Sequence, residues 1–136
     1  MKTMLTGLTL GLSAVGCAAD QSAFVVNDHQ LKLTGHSTSC QLLDPKTHAV
    51  MDLLIPAPCQ VHRTTQGTVR VHQESGRHYF LVESSRPHPE LPDDCETHLQ
   101  SVMVYQGTVT PSSLSDRVAA CPPFQWDTKV FTGLFD

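Results

Sequence analysis

Cys40, Cys59, Cys95 and Cys121 are spaced through the chain with no C-x-x-C pair and no neighbouring set of zinc ligands, and this spacing constrains the fold most. Cysteines of this kind become staples in an oxidising compartment and stay free in the cytosol. The N-terminus supplies the address. Lys2 heads a largely apolar run over residues 4–15, which is signal-peptide length and short of the roughly 20 apolar residues that span a bilayer as a helix. No second apolar run follows. The chain therefore reads as an exported, disulfide-stapled domain. Four cysteines allow three pairings. Sequence neighbours close the shorter loops, which favours Cys40 with Cys59 and Cys95 with Cys121, each bond contributing about 3 kcal/mol in the chain-entropy model.

A fifth cysteine, Cys17, ends the segment Ala14-Val15-Gly16-Cys17. The segment resembles a bacterial lipobox, in which small residues before a cysteine allow its sulfur to be acylated and cleavage to leave it first. Ala14 stands where the family favours Leu, so ordinary cleavage after Ala18 or Ala19 is the competing outcome. Lipidation of Cys17 leaves an even four cysteines for pairing. The resemblance implies an exported lipoprotein on the periplasmic side of the outer membrane, anchored through Cys17. Without lipidation the product is periplasmic or secreted.

The expected organisation is a signal peptide over residues 1–17, a short tether over 18–28 and a single β-rich domain over 29–136. About 120 residues remain after the signal, enough for one modest core. The formal charge is −4 and becomes −5 when Lys2 leaves, with eight Lys and Arg against 13 Asp and Glu. These charges are scattered, so no nucleic-acid partner is expected.

Period-2 alternation recurs along the domain. Phe24-Val25-Val26 offers a first strand inside the tether, and Leu31 and Leu33 share one face of a second. Residues 48–55 form an apolar run, closed by Pro56 and Pro58, that is too short to assign to helix or strand. Residues 68–73 and 78–84 flank Glu74-Ser75-Gly76-Arg77 as a β-hairpin. A long strand is expected over residues 95–110. Ser113, three residues before Asp116, predicts the start of one short helix over residues 111–120, followed by an aromatic tail around Trp126 and Phe131. The fold class is mainly β, a small antiparallel sheet or sandwich with one short helix near the C-terminus.

The sequence contains neither Gly-x-Ser-x-Gly nor His-Glu-x-x-His, and catalytic residues and cofactors are expected to be none. His62, His72 and His78 are the one group that suggests metal handling, since His72 and His78 flank a hairpin turn; solvent-facing strand histidines explain them more simply. The remaining feature is the proline loop over residues 86–94. Pro87, Pro89 and Pro92 fix φ and hold their neighbours extended, so Arg86, His88 and Leu91 are the expected partner-binding residues. The expected function is a non-enzymatic envelope protein that binds another protein, as an inhibitor or immunity protein against a cell-wall hydrolase or secreted toxin. A structural or assembly lipoprotein is the alternative.

Overall fold

The computed structural model describes residues 22–36 and 38–135, so the signal segment, Cys17 and the start of the tether lie outside the described residues. Two antiparallel sheets form a sandwich. The first has the order β1 (Ala23–Val26), β2 (His29–His36), β3 (Ser39–Asp44) and β4 (Ala49–Pro56). The second has the order β5 (Gln60–Val61), β7 (Arg77–Pro87), β8 (Cys95–Tyr105) and β9 (Thr108–Val118), with β6 (His72–Glu74) pairing the far half of β7. Three hairpins turn through two residues of positive φ: Asn27-Asp28, Ser75-Gly76 and Gln106-Gly107. That conformation matches the right-handed twist of the flanking strands and favours Gly, Asn and Asp. Both disulfides, Cys40–Cys59 and Cys95–Cys121, join the expected partners.

Alternation carries one face of each sheet into a shared core. Phe24, Val26, Leu31, Leu33, Leu42, Leu53 and Ile55 meet Val61, Phe80, Val82, Val102 and Val104, and the Phe24 and Phe80 rings touch edge to face at 5.2 Å. Gln100, buried in β8, crosses between the sheets: its Oε1 accepts the Leu54 N–H at 2.7 Å and its Nε2 donates to the Ser112 carbonyl at 2.8 Å. The far side of the second sheet is covered too. Tyr79 and Leu81 lie under Phe131, with Trp126, Val130 and Phe135 packed around them. Strand β7 is therefore buried on both faces, which explains the uninterrupted run Tyr79-Phe80-Leu81-Val82.

Among the described residues the one helix, α1 (Thr128–Gly133), lies in the aromatic tail. Asp127 caps it by accepting the Lys129 N–H at 2.9 Å, and the Ser101 hydroxyl holds its Phe131 carbonyl at 2.6 Å. The helix expected over residues 111–120 is instead strand β9. Its local signal, a cap-like Ser113, is worth about 1 kcal/mol, whereas the β8 ladder satisfies backbone groups from Thr97 opposite Val118 to Tyr105 opposite Thr108. Pro111 is tolerated because β9 is an edge strand. The long strand expected over residues 95–110 is instead two, β8 ending at Tyr105 and β9 starting at Thr108, because Gln106-Gly107 turns the chain back on itself. Two further boundaries move. Of residues 68–73 only His72 and Gln73 join the ladder on β7, while Val69 bridges Arg63; and the unassigned run is strand β4.

A buried ion pair closes one end of the first sheet. His29 Nε2 lies 2.9 Å from Asp44 Oδ2, with both side chains under a tenth exposed. Burial pushes the Asp44 carboxyl up, but hydrogen bonds from His29 and the Lys46 amide, together with the His29 charge, outweigh it and hold the group below its usual range. A depressed folded pKa contributes stability that is present above the unfolded value and lost as pH falls through the folded one. Unfolding free energy should therefore decline below about pH 4, and Asp44→Asn should flatten that decline. Chemical denaturation at a series of pH values checks this; an unchanged slope in Asp44→Asn would remove Asp44 from the account.

Candidate functional site

A groove of about 990 Å³ opens beside β5, in the size range of ligand sites. Its first wall is the excursion of residues 62–70. There Arg63 bridges Val69, the Thr64 N–H donates to the Thr68 carbonyl at 2.7 Å, and the Gly67 N–H donates to the Thr64 carbonyl at 2.9 Å. Its second wall is the tail over residues 122–127, which leaves Cys121 at the disulfide to Cys95. Arg70 braces the two: Nη1 donates to the Trp126 carbonyl at 2.6 Å, and its guanidinium sits 5.0 Å over the Phe131 ring. Phe124 and Trp126 stack with centroids 4.9 Å apart. With Pro122 and Pro123 they give this wall an apolar lining.

The floor is a buried polar network centred on Glu83, 3% exposed. Glu83 follows Val82, so strand alternation turns it outward with Tyr79 and Leu81, beneath the tail. Gln60 stands directly opposite on β5 and donates Nε2 to Glu83 Oε1 at 3.2 Å. The Trp126 indole N–H donates to Oε2 at 2.9 Å, and His62 Nδ1 lies 3.2 Å from the same oxygen. A carboxylate at this depth costs several kcal/mol unless its oxygens are met. Both are met. A carboxylate beside a buried histidine is also the arrangement that orients a base toward a nucleophile; here the same carboxyl meets Gln60, Trp126 and His62, and the network fastens the tail to the sheet.

The other histidines do not join this site. His72 pairs opposite Tyr79, and His78 opposite Gln73, which places the two on opposite faces rather than on one side of the hairpin. His72 packs against Tyr79 and Phe131 at 6.1 and 5.9 Å. Among the described residues no group of three His, Cys, Asp or Glu side chains is placed to hold a metal ion.

The expected partner-binding residues lie elsewhere and play three different parts. Arg86 belongs to β7, opposite Glu96 on β8, and its Nε and Nη2 donate to Glu96 Oε2 at 3.1 and 2.8 Å. That hydrogen bond leads the interactions that hold the Glu96 carboxyl below its usual range. His88 fastens the loop internally: its Nδ1 accepts the Glu90 and Leu91 N–H groups at 3.1 Å, and its own N–H donates to the Asp94 carbonyl at 2.9 Å. Leu91 is presented to solvent, 52% exposed. The Cys95–Cys121 bond joins the loop's end to the start of the groove wall. Gln60, Arg63, Arg70 and Glu83 escape sequence reasoning, and the one trace in the sequence is an acid directly after an apolar run of four.

Trp126→Phe should keep the ring stack and delete one donor to Glu83, costing about 1–3 kcal/mol because a buried acceptor loses its partner. Glu83→Gln should cost a similar amount. The two changes touch one network, so the double variant should lose less than their sum. Urea unfolding of the four proteins measures this, and strict additivity would contradict the network.

No family model, curated protein or solved structure matches this chain, so function is argued from the site itself.

Proposed function

We propose that this chain is an exported, non-enzymatic binding domain of the bacterial envelope that receives a segment of a protein partner in the groove, as an inhibitor or immunity protein against a cell-wall hydrolase or secreted toxin. The observation that carries this reading is the bracing of both groove walls before any ligand arrives. Arg70, the Glu83 network and the Cys95–Cys121 bond hold the tail, and the Thr64 turn holds the opposite wall. Pre-ordered walls lose little entropy on association, which is where binding domains gain affinity. The two disulfides are consistent with an oxidising, extracytoplasmic location.

The alternative is a structural or assembly lipoprotein, favoured by Val50 and Leu54, each 58% exposed on the outward face of edge strand β4 on either side of Asp52. Such residues suit a larger, flatter contact. Leu91 on the proline loop is a further contact point for either partner.

Cys17→Ser should move the protein from the membrane fraction to the soluble fraction, and mass spectrometry of the mature N-terminus should find acylated Cys17 in the parent. An unmodified Ala19 or Asp20 at that terminus would remove the anchor from the proposal. The immobilised exported protein should capture a soluble hydrolase from envelope extract, and the purified pair should lose hydrolytic activity at equimolar ratio. Capture of a membrane complex with no loss of any activity would favour the assembly reading. Phe124→Ala, on the apolar wall, should weaken capture more than Leu91→Ala.

A further inference from the structure

We infer that the groove selects a partner segment bearing a carboxylate next to an apolar side chain, with Arg63 receiving the carboxylate. The inference rests on the groove being the partner site and adds the chemistry it recognises. It follows from how each charge around the groove is engaged. Glu83 is met at the floor by Gln60, Trp126 and His62. The Asp127 carboxylate caps α1 by accepting the Lys129 N–H, and the Arg70 charge bears on it. Arg70 is committed to the Trp126 carbonyl and the Phe131 ring.

Arg63 differs from these. Its Nη1 donates to the Gly67 carbonyl at 2.9 Å, a neutral acceptor, and among the described residues no carboxylate lies within ion-pair reach of it. A guanidinium has five N–H donors in a planar fork, so four remain after the Gly67 contact. That contact fixes the side chain on the first wall, and the second wall presents Phe124, Trp126, Pro122 and Pro123. Arg86 is the contrasting case: equally cationic, it is already occupied by Glu96. A fixed cation with spare donors on one wall, and ring surface on the other, matches a glutamate or aspartate flanked by an apolar residue.

The test uses the exported protein labelled with ¹⁵N and three capped tripeptides, acetyl-Leu-Glu-Leu-amide, acetyl-Leu-Gln-Leu-amide and acetyl-Leu-Lys-Leu-amide, followed by NMR at low salt. The Glu peptide should shift the Trp126 indole and residues 63–65, and should bind about tenfold more tightly than the Gln peptide, as a charge-assisted hydrogen bond provides. Arg63→Gln, which retains an amide donor for Gly67, should erase that preference with the rest of the spectrum unchanged. Arg63→Glu should transfer it to the Lys peptide.

Equal binding of the Glu and Gln peptides in the groove, unaffected by Arg63→Gln, would overturn the carboxylate inference and leave the groove as the partner site. Absence of shifts there with any peptide, or shifts confined to residues 88–94, would overturn both. Inorganic phosphate displacing the Glu peptide at lower concentration than acetate would reassign Arg63 to a phosphate-bearing ligand and overturn the inference.

Discussion

One buried carboxylate organises this protein. Glu83 sits on β7, the strand covered on both faces, and Gln60, His62 and Trp126 surround its carboxyl there. Those partners come from β5, from the excursion that follows it and from the C-terminal tail. The desolvation penalty of an unmatched carboxylate is large, so these contacts link the three segments to one another. The groove is the space left between segments so fixed. Along most of their length the walls lack regular secondary structure and are held instead by hydrogen bonds of Arg70, Glu83 and Thr64.

Other restraints act on the same layers from outside. The Cys40–Cys59 bond ties β3 to the approach of β5, and the Cys95–Cys121 bond ties the start of β8 to the tail. Each restricts the unfolded chain more than it adds contacts to the folded one. Gln100 supplies polar continuity where the sheets meet, because its buried amide joins an edge N–H of β4 to a carbonyl of β9. Together these features place the apolar rings of Phe124 and Trp126 beside a polar wall without collapsing the gap between them.

The groove and the proline loop show two ways of presenting a surface. The loop is closed by its own hydrogen bonds, with His88 turned into it and Arg86 drawn onto Glu96, so its free element is Leu91. The groove offers both polarities at once, and among the described residues its Arg63 is anchored by a carbonyl rather than by an acid. A neutral anchor positions a guanidinium and leaves its charge for a partner.

What the sequence alone determined were features carried by neighbouring residues. The two-residue turn at Ser75-Gly76, alternation through Leu31 and Leu33, the apolar run before Glu83 and the pairing of nearby cysteines all follow from local geometry and loop entropy. The mainly β class followed from them. Tertiary structure decided whatever depended on partners distant in sequence. Residues 111–120 became a strand because β8 offered a ladder stronger than a serine cap, and the helix formed at Thr128 because Tyr79 and Leu81 gave Phe131 a surface to bury. Arg86 met Glu96 because the two stand opposite in register, a fact no spacing between them announces. Glu83 and Trp126, 43 residues apart, share a hydrogen bond only after two sheets and a tail have assembled, so a site built from long-range contacts of this kind leaves almost no local trace in the chain.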